Sequence, residues 1–358
     1  MFDFSTITTA IDQFLRDIMP SQAALLVECV LVALCAVLAY VMFAIVMIFM
    51  ERKVCAAFQC RLGPMRVGPW GLLQVFADVF KMLIKEIISI NNSDKVLYNL
   101  APYLVVMSSV LTFCCLPFGE GLLVLDFNIG IFFIMAASSF GVLGILLAGW
   151  SSNNKFSMIG AVRSGAQMIS YELSIGICLL TIVVMSGTMQ ISELVEAQRD
   201  GWFIFKGHLP AVIAFIIYII AGNAETNRAP FDLPEAESEL TAGFHTEYSG
   251  MHFGFFYVAE FMNLFIVAGI ASTLFIGGWM PLHIPGFDSF NTIMDYIPGV
   301  IWFLGKTFFV IWVLMWIRWT FPRLRIDQVV SLEWKYLVPI GLLNLLIMTL
   351  CVVMGWIF

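Results

Sequence analysis

Apolar residues run almost unbroken through eight stretches of the chain, at about 22–50, 98–118, 127–150, 164–187, 209–224, 251–282, 297–317 and 336–358. A helix needs roughly 20 such residues to cross the hydrocarbon of a bilayer. Most of the eight reach that length, and the fifth is short. The pattern predicts an all-α integral membrane protein of eight transmembrane helices, a single polytopic domain over residues 1–358. Two further segments have helical periodicity with one apolar face only. In residues 1–20, Ile7, Ile11, Phe14, Leu15 and Ile18 oppose Asp12 and Arg16, which reads as a surface helix ended by Pro20. A plain polar tail is the alternative. The segment lacks the basic start and cleavable core of a secretion signal. Within the loop 51–97, Leu72, Phe76, Val79, Phe80, Leu83 and Ile87 form one face, and Gln74, Asp78, Lys81 and Lys85 form the other. That helix is expected to lie in the interface with its charged stripe toward something polar.

Composition agrees with the pattern: of 358 residues, 61% are hydrophobic and 12% charged, against about a quarter charged in soluble domains. Charge then sets orientation. The loops after the first, third, fifth and seventh spans hold 14 of the 18 Lys and Arg. By the positive-inside rule they face the cytoplasm or matrix, and both termini face outward. The net charge of −7 carries no information about nucleic acid, and no basic patch with stacking aromatics occurs, so no nucleic-acid partner is expected. None of the eight cysteines forms a C-x-x-C, and the four histidines fall in loops or at span edges. No metal site, haem or other redox centre is expected on this chain.

The candidate chemistry lies in four places. The segment AETNRAPFDLPEAESELTAGFHTEY, Ala224 to Tyr248, carries Glu225, Asp232, Glu235, Glu237, Glu239 and Glu247 against the single cation Arg228. Asp232 to Glu235, D-L-P-E, reads as a capping box with proline just inside a helix start. The helix would set Glu235 and Glu239 on one face, where like charges repel by a few tenths of a kcal/mol, roughly. Carboxylates clustered at a low-dielectric boundary raise one another's proton affinity, as a relay requires. A solvated loop is the plain alternative. Glu172, Glu260 and Lys306 fall inside spans, where a charge costs about 2.5–3.5 kcal/mol on insertion scales and marks a functional candidate. Glu28, near the outer edge of the first span, can snorkel to water. Upstream, Arg52, Arg61 and Arg66 precede the amphipathic stripe, with Gly63-Pro64 and Gly68-Pro69 stiffening the turns. Near the C-terminus Arg318, Arg323 and Arg325 stand beside Asp327, either as topological anchors or as guanidinium forks for carboxylates of the acidic loop or a partner. The turn GWSSNNKF reads as structural.

ERKVCAAFQCRLGPMRVGPWGLLQVFADVFKMLIKE, AGWSSNNKFSMIGAVRSGAQMISYEL, AETNRAPFDLPEAESEL and PRLRIDQVVSLEWKYLVP together resemble one family, over roughly residues 22 to 345. It is that of the quinone-site membrane subunit of respiratory complex I, the H subunit of bacterial NADH:quinone oxidoreductase, equivalent to mitochondrial NADH dehydrogenase subunit 1. The resemblance implies eight transmembrane helices with both termini outside, in agreement with the pattern above. It also implies partners: soluble quinone-site and iron–sulfur subunits, antiporter-like membrane subunits, and the lipid bilayer. NAD, FMN and iron–sulfur clusters would sit on those partners, with quinone as the substrate.

A quinone tunnel would be lined by Arg52, Phe58, Arg61, Asp78, Arg228, Phe231 and Arg325. A proton relay would run through Glu172, Glu225, Asp232, Glu235, Glu237, Glu239 and Glu260. The expected location is a bacterial inner membrane, which the N-terminal helix and the long 188–208 loop favour over the mitochondrial one. The related membrane subunit of a hydrogenase or formate hydrogenlyase is the nearest alternative, and the full acidic and RLGP motifs weigh against it. An autonomous secondary transporter would show an internal repeat, and the two halves show no convincing one. A passive anchor gives no reason for Glu172 and Glu260.

Overall fold

The computed structural model describes residues 5–88, 90–199, 201–234, 237–283 and 288–356. In chain order the helices are α1 (Ser5–Ile18), α2 (Ser21–Phe58), α3 (Gln74–Ile84), α4 (Lys95–Cys114), α5 (Gly130–Ser151), α6 (Lys155–Ser186), α7 (Ile191–Glu196) and α8 (Phe203–Lys206). They continue with α9 (His208–Glu225), α10 (Glu237–Leu240), α11 (Gly250–Phe275), α12 (Asp288–Asp295), α13 (Gly299–Thr320), α14 (Ile326–Leu332) and α15 (Val338–Val353). Among the described residues, eight helices are long and apolar enough to cross a membrane: α2, α4, α5, α6, α9, α11, α13 and the run Ile326–Val353. That run joins α14 to α15 through a π turn at Glu333–Leu337.

Local sequence sets the ends. Asp94 caps α4 by accepting from the Val96 and Leu97 amides, and Asn154 caps α6 through Phe156 N at 3.0 Å. Gly187 closes α6 in the left-handed region at φ 78°, its N–H on the Val183 carbonyl. The short fifth stretch forms a complete 18-residue helix. The first helix runs past the expected boundary at residue 50 to Phe58, so Glu51 and Arg52 stand on a helix and not in a loop. The last begins ten residues before the apolar run that marked it. In both cases the helix continues through polar residues, which a hydropathy window does not count.

The bundle is built around α11. Its apolar window is 83% buried, against 17% for α2, and it packs on α2, α3, α4, α9 and α13. Lipid tails are as apolar as these side chains, so shape fit holds the helices together. Phe43, Phe113, Phe118, Phe265 and Phe303 interlock across α2, α4, α11 and α13, with Phe43 and Phe265 centroids 4.7 Å apart. Such ring pairs contribute about 0.5–1.5 kcal/mol each. Gly222 lets α9 close onto α11, since a Cβ there would stand 2.4 Å from Val267. At the other end of α11, Lys306 of α13 donates to the Gly278 and Met280 carbonyls and lies 4.5 Å from the Trp202 ring. This in-span cation thus ties α13 to the turn that follows α11. Helix α1 pairs Arg16 with Asp12 at 2.6 Å and leaves Ile11 and Phe14 exposed.

Candidate functional site

One face of α6 carries the acidic segment. Gln167 donates to the Ala224 and Phe231 carbonyls at 2.8 and 2.9 Å, Ser157 donates to the Phe244 carbonyl, and Arg163 pairs with Glu239 at 2.6 Å. Gly160 lies between them. A Cβ there would stand 2.8 Å from the Gly243 Cα and the Phe244 nitrogen. Tyr98 stacks on Tyr248 at 4.2 Å and donates to the Glu247 carbonyl, fixing the segment's far end to α4. Burial holds the His245 imidazole down to about 4, so it is neutral.

The expected capping box, Asp232 to Glu235, falls partly outside the described residues. The helix is described from Glu237, and the Asp232 carboxylate accepts from Arg323 at 2.7 Å. A guanidinium forms a charge-assisted bond, stronger than a neutral amide can offer. Glu235 lies outside the described residues, and Glu237 is described only as the backbone start of α10.

At one end of the bundle four charges from separate elements meet. Glu51 of α2 is paired with both Arg228 and Arg318, and Arg228 Nε lies 3.3 Å from Glu260 of α11. The Arg228 guanidinium also stands over the Phe261 ring at 4.5 Å. Arg228 is 2% exposed and Glu51 8%. A lone charge so buried would cost several kcal/mol, but two cations here face two anions. Next to this set, Arg52 is paired with Asp78 of α3, which also accepts from Gln74 at 3.2 Å. Asp78 of the α3 stripe therefore turns to α2, while Lys81 and Lys85, like Phe80 and Leu83 on the apolar face, are exposed. Glu51, Arg52, Cys55, Arg61, Pro64 and Trp319 line an open cavity of about 290 Å³.

Of the other tunnel candidates, Arg228 is not in the cavity lining but pairs with Glu51, which is. Phe58 is at the exposed end of α2, Phe231 packs on Tyr171 at 5.4 Å, and Arg325 heads α14 with its amide on Gln328. Two of the relay candidates, Glu225 and Glu172, lie elsewhere. Glu225, at the end of α9, lines an internal cavity of about 40 Å³ with Ser108, Thr112, Ser138, Tyr218 and Asn263. The same Ser138 hydroxyl lies 3.5 Å from Glu172 of α6, and its neighbour Ser139 donates to Glu172 as well. Among the described residues no group of three His, Cys, Asp or Glu comes together as metal ligands would.

Residues 30–349 match the family model described as NADH dehydrogenase. The chain belongs to the NADH dehydrogenase family. Within that family it is 72% identical over 353 residues to the H subunit of NADH-quinone oxidoreductase from Phocaeicola vulgatus, covering 99% of each chain. It is 66% identical over 358 residues to that of Bacteroides thetaiotaomicron, covering all of both. Identity to the same subunit of Rhodospirillum centenum is 43% over 320 residues, 89% of this chain and 91% of that one.

Two carboxylates of this NADH dehydrogenase family chain escaped sequence reasoning. Glu51 precedes Arg52 in a run that reads as a polar loop, and its place at the end of an apolar stretch was the available signal. Glu333 falls three residues before an apolar run and gave none.

Proposed function

We propose that the chain is the H subunit of a proton-translocating NADH-quinone oxidoreductase, admitting quinone from the lipid at one end of the bundle and carrying part of the proton path. The observation that carries this reading is the cavity walled by Glu51, Arg52, Cys55 and Arg61, with Arg228 linking its edge to Glu260 inside the bundle. NAD, FMN and iron–sulfur clusters belong to partner subunits and supply the electrons. This chain's residues guide the quinone and answer the charge change. A quinone headgroup accepts hydrogen bonds, which Arg52 and Arg61 donate. Arrival of negative charge draws the guanidiniums toward the cavity and away from Glu51 and Asp78, and the freed carboxylates then take protons. Arg228, shared between Glu51 and Glu260, transmits that change to α11.

From there the acidic set continues it. The cavity at Glu225 has room for about three waters, and Ser138 touches both this cavity and Glu172. Asp232, Glu237 and Glu239, with Glu235, form the proposed feed from the loop. The cation-rich loops face the cytoplasm of a bacterial inner membrane, with both termini outside. Antiporter-like membrane subunits receive the coupled protons.

Arg61→Ala and Asp78→Ala test the tunnel. Each should lower NADH:quinone activity while NADH oxidation by a hydrophilic acceptor stays intact, because that reaction belongs to other subunits. Equal loss of both activities in a normally assembled complex would remove the assignment.

A further inference from the structure

The π turn Glu333–Leu337 sorts its residues sharply. Trp334, Lys335 and Tyr336 are exposed, and Glu333 is fully buried. A π turn is rare and recurs at functional sites. Here it places a carboxyl between α6 and the last span. One oxygen, Oε1, accepts from the Ser174 hydroxyl, and Oε2 is buried with no hydrogen-bond partner. None of the ion pairs among the described residues includes Glu333. The titratable neighbours on α6 are Tyr171, whose hydroxyl is committed to the Val329 carbonyl at 3.0 Å, and Cys178. On α14 only Asp327 titrates, and it is exposed; α15 offers Cys351 near its far end.

An ionised carboxylate in such a place has neither a cation nor a second donor, whereas the neutral acid lacks a single hydrogen bond. The neutral form is far less costly. The adjoining face of α6, about 100° round the helix, meets the Glu225 cavity through Ile175 and Leu179. Two titratable side chains share the intervening core: Cys178 of α6, and Tyr218 of α9, which lines that cavity with Glu225.

We propose that Glu333 is a proton-holding site on the face of α6 adjoining the Glu225 cavity, filled at rest and emptied and refilled during turnover. Each exchange moves one proton. Glu333 loses it from Oε2 and becomes a carboxylate held by the Ser174 hydroxyl. Cys178 and Tyr218 each accept one proton as they pass one on, and Glu225 gains it. The filled state stands on the burial alone; the exchange rests on the relay reading above.

Infrared difference spectroscopy of the purified complex separates the two. Resting wild type minus E333Q should show one carbonyl band of a protonated carboxylic acid, and S174A should shift that band. Absence of the band in a normally assembled pair overturns the site, whatever the relay does. Under NADH-driven turnover in D₂O the band should move to its deuterated position, and C178A should slow this at least threefold while leaving the resting band in place. A band that stays protonated through many turnovers, while Glu225→Gln abolishes pumping, would mean a static structural acid and sinks the exchange with the relay reading intact. If E333Q fails to assemble, the S174A shift decides the site: an unshifted carboxyl spectrum refutes it.

Discussion

Arg323 and Asp232 are 91 residues apart in sequence and 2.7 Å apart in space. The pair ties the connection between α13 and α14 to the acidic segment, and the Leu324 amide reinforces it by donating to the Pro230 carbonyl at 3.0 Å. Both side chains are partly exposed, so the pair itself contributes about 0.2–1 kcal/mol. Arg323→Ala and Asp232→Asn should each speed amide exchange over residues 226–234 by a fewfold. The double variant should add little beyond either one. Strictly additive effects would show that the two residues act separately.

Glu51→Gln leaves Arg228 and Arg318 facing a neutral amide. Removing one partner of a buried pair costs roughly 3–5 kcal/mol, so the assembled complex should melt at a clearly lower temperature. Quinone reduction should fall further than acceptor-linked NADH oxidation. Melting and quinone rates equal to wild type would refute the four-charge arrangement.

Gly160→Ala inserts a methyl 2.8 Å from the Gly243 and Phe244 backbone, which cannot yield as a side-chain tip would. Overpacking of this kind costs about 1–3 kcal/mol, and amide exchange around residues 243–248 should quicken. Gly305→Ala meets nothing within 4 Å and serves as the control. Equal behaviour of the two variants would show that α6 and the loop are not in tight contact.

His245 gives the closed loop a pH signature. Its imidazole titrates at about 4 in the folded protein because of burial, against an ordinary value of 6.5. Between those values the opened loop binds a proton that the closed one does not. Closure is therefore fully stable above pH 6.5 and weakens as pH falls toward 4, by up to about 1.4 kcal/mol per pH unit. Proteolysis at the 241–249 segment should rise over that window in wild type. In His245→Phe it should stay flat, and a matching rise in both proteins would exclude His245 as the source.

All eight spans were legible because the bilayer demands long apolar runs, and hydropathy reads those directly. The ends were less so. Glu51 and Arg52 look like loop residues until Arg228, Arg318 and Asp78 are seen to neutralise them, and those partners come from distant parts of the chain. Asp232 has the chemistry of a cap, and nothing in its local motif announces the ion pair it makes with Arg323, 91 residues away. Glu225, Glu172 and Glu260 were visible as acids at or inside spans. The cavity that brings Ser138 to both Glu225 and Glu172 depends on how three helices meet, which no single segment encodes.

Helix α2 has 38 residues and so measures about 57 Å at 1.5 Å per residue, nearly twice the ~30 Å hydrocarbon layer. Even strongly tilted, it must stand proud of the oil. Glu51 and Arg52 ride on the final two turns before its tip at Phe58. On the proposed function, a quinone that reaches them would have lifted its headgroup out of the hydrocarbon while its isoprenoid tail still lay along the apolar flank of the same helix. The exposed side of α2 would in this sense be a ramp: it would let a molecule that belongs in oil climb to a partner that lives in water without ever letting go of the membrane.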